Sequence, residues 1–115
     1  MDELVNEIAA KNSIDPDVAR KSVTIILQFL LKDGPTATVQ GLVDALPGAN
    51  EAVTAAPPIS EGGIMGVFND LTNAGLGMGE IQSVAGDFVA YARQKVGSEI
   101  VDEVVAGIPG LSQFV

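Results

Sequence analysis

Residues 43–50, VDALPGAN, and residues 105–112, VAGIPGLS, close two helix-like stretches with the same phrase. In each phrase a proline lacks the N–H a helix needs and pushes the residue before it away from helical angles. The glycine that follows, Gly48 or Gly110, accommodates a reversing backbone. Working outward, a shift of 63 residues brings Leu4 onto Val67, Val5 onto Phe68 and Ile8 onto Leu71. The same shift brings Val18 onto Ile81, Ile25 onto Phe88, Ile26 onto Val89 and Gly34 onto Gly97. One residue is then lost, and at a shift of 62 Val39, Leu42, Val43 and Leu46 meet Val101, Val104, Val105 and Ile108. This register predicts a three-segment unit used twice. Leu30 opposite Arg93, Lys21 opposite Val84 and Phe29 opposite Ala92 are the mismatches.

Every segment reads as helix, because its apolar residues recur at spacings of three and four. The expected fold class is therefore all-α, with two tandem similar three-helix units packed around one shared core. The expected boundaries are unit 1–48, linker 49–63, unit 64–110 and a C-terminal tail 111–115. Asp15 before Pro16 predicts a capped helix start, and Ser98 is the expected cap of the last helix. Pro57-Pro58 and Gly62-Gly63 mark residues 49–63 as a spacer, with a further helical turn expected around Glu51–Ala55.

Composition narrows the function. There is neither cysteine nor histidine, which removes disulfides, thiolate ligands, the commonest zinc ligand and the usual neutral-pH base. Fifteen acids against six bases give a net charge of −9, unfavourable for a nucleic-acid backbone or an anionic membrane. Apolar residues make up 47% of the chain, enough to build a core rather than remain disordered. The opening MDELVNEIAAKN is acidic and amphipathic, unlike a secretory or transit segment, and a soluble cytoplasmic protein is expected.

The motifs that come nearest to chemistry are incomplete. GLGMGEI, residues 75–81, lacks the lysine of a phosphate loop and the preceding strand of a dinucleotide fold. A calcium loop begun at Asp70 places Ala74 at a ligand position and Ile81 at position twelve, and one begun at Asn69 places Leu71 at a ligand position and Ala74 where the glycine is needed. The acidic clusters Asp2, Glu3, Glu7 and Glu99, Asp102, Glu103 read as solvated helix faces. Gln82-Ser83-Val84 lacks the aspartate of an acyl-carrier attachment motif. No catalytic residue, cofactor or metal is expected.

The stretch NSIDPDVARKSVTIILQFLLKDG (residues 12–34), with GLGMGEIQ (75–82) and IPGLSQFV (108–115), resembles an uncharacterised bacterial family of helical proteins. These are proteins of the VcgC/VcgE type and short two-repeat proteins of alphaproteobacteria. The resemblance implies an all-helical bacterial protein and carries over no active-site residue.

Two functions are expected from these observations. The first is a non-enzymatic, self-associating protein-interaction module, a homodimer or a partner of another protein. The second is a small apolar-ligand carrier with a pocket between the two units. The tail contributes Leu111, Phe114 and Val115 as interaction residues, seated either on the chain's own core or on a partner. Deleting Leu111–Val115 is expected to cost about 2–4 kcal/mol if the tail docks on the core. An unchanged melting temperature with lost association marks the partner instead.

Overall fold

Asp15 accepts a hydrogen bond from the Asp17 amide at 2.8 Å, and Pro16 enters the first turn behind it. So begins α2, Pro16–Asp33, the helix around which the others pack. The computed structural model describes residues 1–108. Before α2 comes α1, Asp2–Asn12. After it come α3, Thr36–Ala45; α4, Ala49–Ala55; α5, Gly63–Asn73; α6, Met78–Val96; and α7, Ser98–Ala106. Among the described residues there is no strand, so the all-helical expectation holds. No described helix is long and apolar enough to cross a membrane.

α2 is buried on more than one side because α1, α3, α4, α5 and α6 all touch it. Leu27 and Val23 have no exposed surface, and Ile26, Phe29 and Leu30 lie within the same core. Two hydroxyls share that interior. Ser22 donates to the Val18 carbonyl at 2.7 Å and Thr24 to the Arg20 carbonyl at 2.8 Å, which removes the cost of burying them.

Helices from the two halves of the chain interleave. α1 lies against both α2 and α6, while α5 lies chiefly against α2. Asn12 donates to Ile8 at 2.9 Å and to Asp87 at 3.0 Å, which ties the end of α1 to α6. Thr38 donates to Glu103 at 3.0 Å and links α3 to α7. The extents of 30 × 29 × 27 Å leave no long axis along which two separate bodies could lie.

The segment before α5 is held at several points. Ala49 is fully buried, and α4 is two residues longer at its start than the expected turn. Gln28 of α2 donates to the Pro57 carbonyl at 3.0 Å. Ser60 donates to Asp70 twice, from its amide at 2.7 Å and its hydroxyl at 2.5 Å. The expected capping role of Ser98 is absent. The backbone turns at Gly97, with φ +91°, so Ser98 is already the first helical residue and makes no side-chain cap.

Surface charge follows local pairing. Arg20 hydrogen-bonds Asp2, and first that bond and then its charge hold the Asp2 carboxyl below the ordinary carboxylate value. Hydrogen bonds from Asn50 and Gln40 do the same for Asp44. A carboxyl depressed in the folded state stabilises the fold while ionised and ceases to do so as pH falls through its folded value. Stability is therefore expected to be level from about pH 6 to 8, where the chain has no histidine to titrate. It should decline below pH 3.8, the ordinary Asp value, and Asp2→Asn should flatten that acid limb slightly in thermal melts. A limb unchanged in Asp2→Asn assigns the acid sensitivity to other carboxyls.

Candidate functional site

α5 carries Ile64, Val67, Phe68 and Leu71 at spacings of three and four, so all four fall on one helical face. α5 lies chiefly on α2 and also touches α6. Beneath α5 lies a cavity of about 70 Å³. Phe29 and Leu30 of α2 and Leu42 of α3 line it from the first half of the chain. Phe88 and Ala92 of α6 and Val101 and Val104 of α7 line it from the second. The described lining thus comes from both halves of the chain.

Every described residue lining the cavity is apolar. Among the described residues no buried side-chain nitrogen or oxygen lacks a hydrogen-bond partner, so no orphaned polar atom awaits a ligand there. Such walls cannot activate a nucleophile, move a proton or coordinate a cation. They can exclude water and receive carbon. Water itself gains little there, because it needs two to four polar partners to stay in a buried site.

The rim differs from the floor. Ile64, Phe68, Ala85, Val89 and Val105 are only partly buried, while Val67, Leu71, Phe88 and Ala92 lie inside. The cavity therefore reaches the surface between α5, α6 and α7. Where the first half has the bulky Phe29, the aligned position of the second half has Ala92, while the larger Phe88 stands opposite Ile25. The sequence reads this as an exchange that keeps total volume, so the space is not visible in the alignment. Phe29, Phe88 and Ala92 all line it.

In the two acidic clusters, Asp2, Glu7, Asp102 and Glu103 have structural partners. Lys11 pairs with Glu7 at 3.3 Å and Arg93 with Asp102 at 2.9 Å, while Glu103 accepts from Thr38. Asp70, the tested start of a calcium loop, is occupied by Ser60. Among the described residues no three acidic side chains gather as a metal site. In the glycine-rich turn, Gly75 takes a left-handed φ of +115° and the Gly77 amide donates to Glu80 at 2.9 Å, starting α6. Leu111, Phe114 and Val115 lie outside the described residues. Ile108, the last described residue, is buried and approaches Gly34. No protein-family model, curated protein or solved structure matches the chain.

Proposed function

We propose that the chain is a non-enzymatic binding protein that carries a small apolar ligand in the cavity between its two halves. One observation carries this reading: a space in the core, open at one rim, whose described lining residues are all apolar. A two-unit origin for the chain fits the same picture. Helices of 11, 18 and 10 residues are followed, after α4, by helices of 11, 19 and 9. The first helix of each set also lies on the second helix of the other, α1 on α6 and α5 on α2. On this reading the cavity marks where the second unit departs from the first.

The test is extraction. Protein purified without detergent and extracted with organic solvent should release a bound apolar compound, identified by mass spectrometry, and re-addition of that compound should raise the melting temperature. An empty extract, together with no thermal response to any apolar compound, counts against the reading.

Self-association is the second reading, and specific residues favour it. Met65 is 70% exposed and Met78 69%, although methionine is an adaptable apolar residue common at contact surfaces. A homodimer is expected in light scattering at micromolar concentration, and Met65→Lys with Met78→Lys should return it to 11.8 kDa. Wild-type protein already at that mass removes this reading and leaves the cavity untouched.

A further inference from the structure

We infer that residues 111–115 pack on α6 and α7 in the place that α4 takes on α2 and α3, reaching the cavity rim beside Ile64 and Val105. The inference rests on the two-unit reading above and gives the second unit a counterpart of α4. The turn supplies the direction. After α3 the chain reverses at Leu46-Pro47-Gly48-Ala49, where the Ala49 amide donates to the Leu46 carbonyl at 3.0 Å. Gly48 stands at φ +85° and ψ −6°, the geometry a type II turn gives its third residue, and proline favours the second. Residues 108–111 read Ile-Pro-Gly-Leu, with proline and glycine at the same two positions. Ile108 enters that phrase buried in the core, as Leu46 does.

The spacing supplies the face. In α4, Ala49 is fully buried and Ala52 and Val53 pack partly buried against the core, while Asn50 and Glu51 are exposed. At the shift of 62, the first three become Leu111, Phe114 and Val115, and the other two become Ser112 and Gln113. Apolar residues thus recur wherever α4 is buried, and polar ones wherever it is exposed. The receiving surface follows from the same register. Gln28 of α2 donates to the Val53 carbonyl of α4 at 3.4 Å, and Gln28 aligns with Tyr91 of α6. Met1 donates from its ammonium to the Pro47 carbonyl at 2.7 Å, and Met1 aligns with Ile64, at the rim. Val43 of α3 is fully buried, whereas its counterpart Val105 of α7 is only partly so. Residues 109–115 carry no charged side chain in a chain of net −9, so packing them strips water from no charged side chain. An apolar ligand of the cavity then meets this segment at the entrance.

The chain has no cysteine, so Ser112→Cys carries a single nitroxide, on the side that aligns with the exposed Asn50. In this otherwise wild-type chain, amide NMR signals around Tyr91 in α6 and Ile64 in α5 should lose intensity. Those of α4 should keep theirs. Phe114→Asp, which puts a charge on the packed side, should restore the lost signals in a chain that still shows a folded spectrum. Because the labelled chain decides the matter alone, a misfolded Phe114→Asp variant does not rescue the idea. Signals retained around Tyr91 overturn the inference, as does a loss centred on α4. Equal loss on mixing nitroxide-bearing chains with isotope-labelled chains that lack the nitroxide overturns it too, since the segment then sits on a second copy. Each of these results leaves α1 on α6 and α5 on α2, the pairing behind the two-unit reading, as it stands. A solution structure without that pairing sinks both.

Discussion

Leu27→Ala is expected to lower stability by about 3–5 kcal/mol, the upper part of the range for a buried leucine. The side chain has no exposed surface and sits on the helix that five others touch. Its neighbours are drawn from several helices and are held by one another, so the void left by the missing carbons cannot collapse easily. Set against a total of about 5–15 kcal/mol for a domain, the loss threatens folding itself. The melting temperature should fall by roughly 15–20 °C in calorimetry. A fall of only a few degrees would mean that the centre of α2 repacks freely, contrary to the close packing described.

Gly66→Ala should destabilise by about 1–3 kcal/mol, although alanine is ordinarily the better helix former. A methyl at this position would stand 2.5 Å from the Glu61 carbonyl oxygen and 3.0 Å from that of Ser60. Both atoms are backbone, so neither can swing aside as a side-chain end would. The clash has to lift residues 60–61 away from α5, straining the Ser60–Asp70 pair with it. Gly41 of α3 and Gly86 of α6 supply the contrast, since a methyl on either meets nothing within 4 Å. Their alanine variants should gain about 0.5–1 kcal/mol each. Urea melts of the three variants test the sign directly. If Gly66→Ala also stabilises, the close approach of residues 60–61 is wrong.

The helices were legible in the sequence because each signals itself locally. Pro16 after Asp15, the spacing of Ile25, Ile26, Phe29 and Leu30, and Pro47-Gly48 all act within a few residues of one another. What stayed hidden depends on residues far apart. Asp70 read as a failed calcium ligand because its partner, Ser60, lies ten residues back and carries no motif. Gln28 gave no hint that it would hold the Pro57 carbonyl, since a glutamine on a helix is ordinarily just solvated. Ser98 satisfied every local rule for a helix cap, yet the bend one residue earlier at Gly97 took it past the capping position. The cavity was not legible. Ala92 stands opposite Phe29, but Phe88 stands opposite Ile25, an exchange that reads as volume kept, and whether the helices close on one another depends on how they cross.

That unfilled space also makes the fold a volumetric object. Seventy cubic ångströms per molecule is about 40 mL per mole, which water recovers when the chain unfolds. Typical unfolding volumes are about −20 to −100 mL/mol, so a single void of this size forms a sizeable share of the whole. Hydrostatic compression thus acts on this chain in part through the space under α5. An occupant there would make the folded protein harder to squeeze apart, whatever it does to the melting temperature.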